Sequence, residues 1–196
     1  MREVDIYDFD KTLVPFDSGT AFVLFCSARY PWILPMLPVT GFLCLLGTLK
    51  LISWTTFKKV CFSFMRFIPR ERAIKAFWDK NESRAFKWFK ERKRESVVIS
   101  ASPDFLLEEA QKRLGFDVLI CSRHDKRTGR IIGKNCRGEE KVRRFYETLG
   151  NGVRVADVYS DSVDHDKPIF SLATGKCYHI VDGIKNEFDF KDKYKE

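Results

Sequence analysis

The sequence predicts an α/β fold: a Rossmann-like three-layer core with a mainly parallel sheet, plus an inserted α-helical cap. The first observation is that short apolar runs alternate with helical segments from residue 96 onward, which predicts parallel strands covered by helices on both faces. The second is that the helical stretch between the first two strands is too long for an ordinary crossover. We therefore assign residues 1–15 and 96–196 to the core and residues 16–95 to the cap.

The predicted strands are short runs rich in Val and Ile, at residues 4–7, 97–99, 118–121, 153–159 and 177–181. Helices are expected at 103–114 and 139–149, the first with Ser102 as its N-cap and Pro103 at its first position. The Arg-Thr-Gly-Arg sequence at 127–130 is typical of a hairpin turn. In the cap, aromatic residues recur at helical spacing, which predicts helices there.

The composition fits a packed domain with one strongly basic segment. Hydrophobic residues make up 44% of the 196 residues, enough to fill a core. The six cysteines form no C-x-x-C pair, and the chain opens with a strand pattern instead of a signal peptide, so we expect reduced thiols and a cytoplasmic location. Residues 50–94 hold fourteen Lys and Arg against four Asp and Glu, so an anionic partner would meet this segment.

Polar residues stand where ligands bind in open α/β sheets, beyond the carboxyl ends of the predicted strands. Asp8 and Asp10 follow the first strand, Ser100 the second and Asp161 the fourth, while Lys141 opens a helix. This set suits phosphoryl transfer: a carboxylate can attack phosphorus, a second can move the proton, and a divalent cation can offset the charge. A hydroxyl and an ammonium group can hold the phosphoryl oxygens.

Each residue also has an ordinary structural explanation. An Asp-x-Asp pair is common in solvated loops, a serine at a strand end is usually a turn former, and a lysine near a helix start usually faces solvent. What favours catalysis is that all of them occur in one series, at strand ends, on an α/β background.

This series resembles the motifs of the haloacid dehalogenase superfamily along the whole chain. The matching segments are Asp8-Phe9-Asp10-Lys11-Thr12, then Val97-Val98-Ile99-Ser100, then Lys141, and finally Tyr159-Ser160-Asp161-Ser162 followed by Asp166. Ser160 stands where the family often has glycine. The predicted cap lies between the first and second motifs, and in this respect the chain resembles the phosphoserine-phosphatase-like branch of the family, which carries a helical cap there.

The resemblance implies an Mg²⁺-dependent phosphatase that works through an aspartyl phosphate. Asp8 would be the nucleophile, and Asp10 would be the acid and base and would bind the metal through its backbone carbonyl. Asp161 would be the metal carboxylate, and either Asp166 or Asp164 would support the metal from outside. The phosphate-binding residues would be Thr12, Ser100 and Lys141.

The cap contains twenty successive residues without a charge, from Tyr30 to Leu49. That length could cross a bilayer, but one crossing is excluded because Asp8 precedes the run, Ser100 follows it, and both must share one site. Two alternatives remain: a hydrophobic helix buried in the cap, or an element lying at a membrane surface. The basic, aromatic segment that follows favours an anionic lipid surface for the second alternative.

Three functions are therefore compared. The cap and the stretch around Lys141 resemble phosphatidylglycerophosphatase C-like proteins, which implies a lipid phosphate such as phosphatidylglycerol phosphate, at the cytoplasmic face of the membrane. The second is a soluble phosphatase for a small metabolite such as phosphoserine, with Asp17 and Ser18 contacting the substrate. The third is a nucleic-acid-binding module, which the acidic residues at the strand ends oppose.

Overall fold

A computed structural model describes residues 2–194, apart from the side chain of Trp54. Six strands form one sheet in the order β3-β2-β1-β4-β5-β6. Neighbouring strands are parallel except β5 and β6, which are antiparallel. The strands are β1 (Arg2–Tyr7), β2 (Glu95–Pro103), β3 (Val118–Ser122), β4 (Val153–Ser160), β5 (Cys177–Val181) and β6 (Ile184–Phe188).

Helices cover both faces of this sheet. The α-helices are α1 (Ser18–Arg29), α2 (Leu37–Thr48), α3 (Trp54–Cys61), α4 (Arg70–Asn81), α5 (Asp104–Leu114), α6 (Glu139–Leu149), α7 (Lys167–Phe170) and α8 (Phe190–Lys193). Four short 3-10 helices lie between β1 and β2, at Pro31–Met36, Ser63–Phe67, Glu82–Arg84 and Lys87–Glu91. The predicted α/β class with a mainly parallel sheet is confirmed.

Alternation along the strands divides the core into two clusters, as expected for a sheet buried on both sides. On one face, Tyr7 and Tyr159 pack with Phe22 of α1, Trp78 of α4 and Leu106 of α5. The other face carries Ile6, Val97, Val155, Phe145 and Ile169, the last two from α6 and α7. The three-layer arrangement follows from these two clusters.

The segment between β1 and β2 shares a core with the sheet. The Trp78 indole of α4 donates to the Leu106 carbonyl at 2.9 Å, and the rings of Phe89 and Tyr7 lie 5.1 Å apart. Helices α1 and α4 and the residues around Phe89 therefore cover one face of the sheet. Along the chain, α2 and α3 lie between α1 and α4. The domain boundaries at 16–95 stay a prediction.

Several expected elements differ in detail. Helix α5 begins at Asp104 with Pro103 as its N-cap, so Ser102 is not the cap and belongs to β2. The reason is that pairing between β2 and β3 continues as far as Pro103 and Ser122. The turn at 127–130 forms, but the residues on either side of it pair only through one isolated antiparallel bridge, between His124 and Ile131, and not as two strands of a hairpin. Strand β6 was not predicted.

The uncharged stretch of the cap lies mostly on the surface. It consists of the 3-10 helix Pro31–Met36 continued by α2, and the prolines that argue against one straight helix lie in its first part. By length and composition, Pro31–Thr48 is the one stretch in residues 2–194 that could cross a membrane, with a mean hydropathy of 1.5, yet only 11% of it is buried. The alternative of a helix buried within the cap is therefore not what the structure shows.

Candidate active site

The predicted site residues meet beyond the carboxyl ends of β1 and β4. These two strands are neighbours, and the chain runs outward from them in opposite directions, to β2 and β3 on one side and to β5 on the other. Such a switch point leaves a crevice that ligands use. A cavity of about 620 Å³ occupies it, and both Asp8 and Asp161 line its wall.

The loop after β1 is fixed to the loop after β4. The Asp8 amide donates to the Tyr159 carbonyl at 2.9 Å, and the Asp161 amide donates to the buried Thr12 hydroxyl at 2.9 Å. Lys11, which lies between Asp8 and Thr12 in the chain, has a φ of 56°. Residues other than glycine rarely adopt this backbone angle, and it turns the chain sharply. Thr12 thus joins the two acidic loops through its hydroxyl group.

Lys141 at the start of α6 lies between two buried carboxylates. Its ammonium group donates to Asp8 Oδ1 at 2.8 Å and to Asp166 Oδ2 at 2.9 Å. Burial alone would lower the pKa of Lys141, but the two carboxylates reverse this and raise it. Asp166 also accepts from the Ser160 hydroxyl at 2.6 Å, so Ser160 holds Asp166 in place.

Both oxygens of Asp10 are held by hydrogen bonds. The Ser18 amide at the start of α1 donates to Oδ1 at 2.8 Å, and the Ser102 hydroxyl donates to Oδ2. Burial, followed by the nearby Asp17 carboxylate, raises the pKa of Asp10, whereas the bonds from Ser102 and Ser18 act in the opposite direction. Asp17 itself caps α1 by accepting from the Thr20 amide at 2.7 Å.

Ser100 and Asp161 complete the wall. Ser100 is buried at the end of β2, and its oxygen accepts from the Ser102 amide at 3.1 Å, which leaves its proton available to a ligand oxygen. Burial raises the pKa of Asp161, and the Asp166 carboxylate adds to the rise. A cation bound next to Asp161 would lower this pKa again, because positive charge stabilises the carboxylate.

The structure brings most of the predicted site residues to one cavity. Those that line it are Asp8, Asp10, Asp17, Ser100, Lys141, Asp161 and Asp166. Thr12 and Ser18 are buried directly behind the wall, whereas Asp164 is exposed and is not part of the wall. Of the two aspartates left open by the sequence, Asp166 therefore lies at the site.

Among the cavity-lining residues that sequence reasoning did not assign to the site are Lys58, Ser102, Asn135 and Arg137. A signal existed for Ser102, because residues two apart on a strand point to the same side and Ser100 was already a candidate. Asn135 and Arg137 stand in the segment that leads to Lys141 and resembles the third motif, but nothing in the sequence marked either as a cavity residue. No pattern links Lys58 to the motifs, since only the fold brings it there.

The donor set fits magnesium but not a metal that needs a complete protein cage. Within residues 2–194, no group of three or more His, Cys, Asp or Glu side chains could hold a metal ion. Mg²⁺, however, usually takes one or two carboxylates and completes its octahedron with water and phosphate oxygens. Asp8 and Asp161 supply two carboxylates in one cavity, and Asp10, whose backbone carbonyl the resemblance assigns to the metal, lines the same cavity.

Comparison with known sequences identifies the family and gives a relative that matches in part. The family model for haloacid dehalogenase-like hydrolases matches residues 6–171. Protein CicA of Caulobacter vibrioides is 36% identical over 92 residues, which cover 44% of this chain and 41% of that protein. The match thus spans about two fifths of the length of this curated relative.

Solved structures share the fold at low identity. A protein of unknown function from Bordetella pertussis Tohama I has a TM-score of 0.65 at 18% identity, covering 80% of this chain and 82% of that one. A phosphoserine phosphatase, solved as an analogue of its phospho-aspartyl intermediate, has a TM-score of 0.54 at 18% identity, with 91% and 86% covered. These similarities concern the fold.

Proposed function

The chain belongs to the haloacid dehalogenase-like hydrolases, and from this premise we propose that it is an Mg²⁺-dependent phosphatase that forms an aspartyl phosphate on Asp8. The observation that carries the proposal is the position of Asp8, whose carboxylate lies in the cavity against Lys141 and shares that cavity with Asp10. A nucleophile, a proton carrier and a fixed cation are what an in-line phosphoryl transfer needs.

In the first step, a carboxylate oxygen of Asp8 attacks phosphorus and the ester P–O bond breaks. Asp10 gives its proton to the departing oxygen, and its raised pKa suits it to hold that proton beforehand. Lys141 and the Ser100 hydroxyl hold the phosphoryl oxygens, where negative charge accumulates. The products of this step are the free alcohol and an acyl phosphate on Asp8.

In the second step, Asp10 accepts a proton from water, and the water oxygen attacks the phosphorus of the aspartyl phosphate. The bond between phosphorus and Asp8 breaks, which releases inorganic phosphate and restores the carboxylate. When bound by Asp8, Asp161 and the Asp10 carbonyl, Mg²⁺ would supply positive charge that lets the anionic nucleophile approach an anionic ester. Asp166 keeps Lys141 in position through both steps.

Hydrolysis of 4-nitrophenyl phosphate tests this assignment. We expect release of 4-nitrophenol in the presence of Mg²⁺ and loss of at least about a hundredfold in rate after chelation with EDTA, restored by added Mg²⁺. The same rate with and without the chelator would contradict the role given to magnesium. No hydrolysis of any phosphomonoester under either condition would contradict the phosphatase.

For the substrate, we propose a lipid phosphate reached at the cytoplasmic face of a membrane. The support is an exposed apolar face on the cap, where the side chains of Trp32, Val39, Phe42, Leu45 and Leu49 are 54% to 60% exposed. Exposed apolar surfaces of this kind usually mark an interaction site. Lys59, Arg66 and Arg130 lie next to it, around a small cavity with Met36 and Phe67, and would meet anionic headgroups.

Helix α2 connects this face to the catalytic cavity. Leu37, Thr40, Gly41 and Cys44 line the cavity on one side of the helix, while Val39 and Phe42 are exposed on the other. Both sides are therefore largely apolar, which suits a substrate with acyl chains better than a small polar metabolite such as phosphoserine. Comparing hydrolysis of phosphatidylglycerol phosphate with that of phosphoserine separates the two.

Sedimentation with vesicles tests the membrane contact. We expect the protein to sediment with vesicles rich in anionic lipid, and less so as salt rises from about 0.1 M to 1 M, because the Debye length falls from about 10 Å to about 3 Å. Phe42→Asp should release it, whereas Ile184→Asp, which changes an equally exposed apolar residue on β6, should not. Equal release by both variants, or no sedimentation of the wild type, would contradict this contact.

A further inference from the structure

Lys58 reaches the catalytic cavity from the cap. It lies on α3, and its ammonium group donates to the Ala101 carbonyl at the end of β2 and to Asn135 Oδ1 at 2.9 Å. Asn135 is buried and also accepts from the Ser122 hydroxyl at 2.8 Å, so its oxygen is fixed. Lys58 is thereby held in the cavity wall that also contains Asp8 and Asp10.

The charge of Lys58 has no carboxylate partner at close range. Both of its acceptors are neutral oxygens, and no ion pair within 4.0 Å in residues 2–194 includes it. Lys141, by contrast, is bonded to two carboxylates. Burial lowers the pKa of Lys58, while the more distant carboxylates of Asp10 and Asp17 act in the opposite direction without cancelling the effect. An anion entering the cavity would compensate it.

We propose that Lys58 binds a second anionic group of the substrate, beside the phosphoryl group at Asp8, and thereby selects phosphomonoesters that carry another negative charge. This inference rests on the phosphatase function proposed above and adds its specificity. Lys141 is bonded to Asp8 and Asp166, which places its charge beside the nucleophile and therefore at the phosphoryl group. The Lys58 ammonium group donates to two protein acceptors and has a third N–H that neither of them uses. The second anion is a phosphodiester, as in a lipid headgroup, or a carboxylate, as in phosphoserine.

Steady-state kinetics on three water-soluble substrates test this role. They are 4-nitrophenyl phosphate, which has only the phosphoryl group, glycerophosphoglycerol phosphate, which adds a phosphodiester, and phosphoserine, which adds a carboxylate. In Lys58→Met, we expect kcat/KM for one of the doubly anionic substrates to fall about ten- to a hundredfold more than for 4-nitrophenyl phosphate, mainly through KM. The substrate affected identifies the anion.

Two matched variants make the result specific. Lys58→Arg keeps the charge and should restore most of the preference. Lys75→Met removes an exposed lysine on α4, which lines no part of the cavity, and should leave the preference at the wild-type value. If Lys58→Met also lowers Tm, the ratio between substrates still decides, because partial unfolding reduces all rates alike.

Equal losses on all three substrates would overturn the inference and leave Lys58 as a structural link between α3 and Asn135. That result would not affect the proposed phosphatase, which would still be active on 4-nitrophenyl phosphate. Failure of the wild type to hydrolyse any of the three with Mg²⁺ would instead overturn the phosphatase and this inference together.

Discussion

Asp8→Asn is expected to lower kcat on 4-nitrophenyl phosphate by roughly 10⁴-fold or more, to the level of the background reaction. The amide has nearly the same shape but cannot act as a nucleophile, so no aspartyl phosphate forms. Its oxygen can still accept from Lys141, which now donates to Asp8 Oδ1 at 2.8 Å. The variant should therefore fold, and the loss should appear in kcat.

The matched control is Asp164→Asn, which makes the same chemical change in the other acidic loop, the one that follows β4. Asp164 is exposed and does not line the cavity, so its replacement should leave kcat within about twofold of the wild type. Rates measured by phosphate release, with Tm recorded for each variant, would decide. Substantial activity in Asp8→Asn would mean that another group attacks phosphorus.

Lys141→Met should produce the largest loss of stability among the cavity residues, along with loss of activity. The methionine leaves Asp8 and Asp166 facing each other without the ammonium group that now bonds to both. Breaking a buried pair by removing one partner costs about 3–5 kcal/mol. In a chain of this length that corresponds to a fall in Tm on the order of 10 °C.

The deficit should depend on pH in a defined direction. Burial already raises the pKa of Asp8, and loss of the ammonium group would raise it further. A carboxyl group whose pKa is higher in the folded than in the unfolded state binds more protons when folded, so stability falls as pH rises. The difference in Tm between the variant and the wild type should thus be largest at alkaline pH and shrink as pH falls towards the ordinary range of Asp.

Lys134→Met is the control, because Lys134 is an exposed lysine seven residues before Lys141. It should leave Tm unchanged at every pH. A deficit in Lys141→Met that does not vary with pH would show that lost packing, and not an uncompensated Asp8, causes the destabilisation. Addition of Mg²⁺ should reduce the deficit by replacing part of the missing positive charge.

Much of the candidate site could be predicted because topology alone brings it together. Parallel strands end at one edge of the sheet, so residues that follow β1, β2 and β4 must be neighbours. Asp8, Ser100 and Asp161 are such residues, and the structure places all three in one cavity. The helix that carries Lys141 was predicted with the correct ends, since its pattern is strongly amphipathic.

The rest depends on information that a local pattern does not contain. Ser102 was assigned to the N-cap because a proline follows it, but Pro103 has an extended backbone, and Ser102 instead donates to Asp10. Lys58 and Asn135 are 77 residues apart and meet only because α3 lies over the end of β2. Whether residues 30–49 are buried was also undecidable, since a core helix and a surface helix at a membrane have the same composition.

Helix α2 sets the distance between two environments. One helix with its side chains is about 10 Å across, and it alone stands between the outward-facing Val39 and Phe42 and the inward-facing Thr40 and Cys44. On the proposal that the substrate is a lipid phosphate, a molecule anchored in the leaflet would need to lift its polar end by little more than one headgroup layer to reach the reactive carboxylate. Its fatty tails could stay immersed throughout turnover, so extraction into water need not limit the rate.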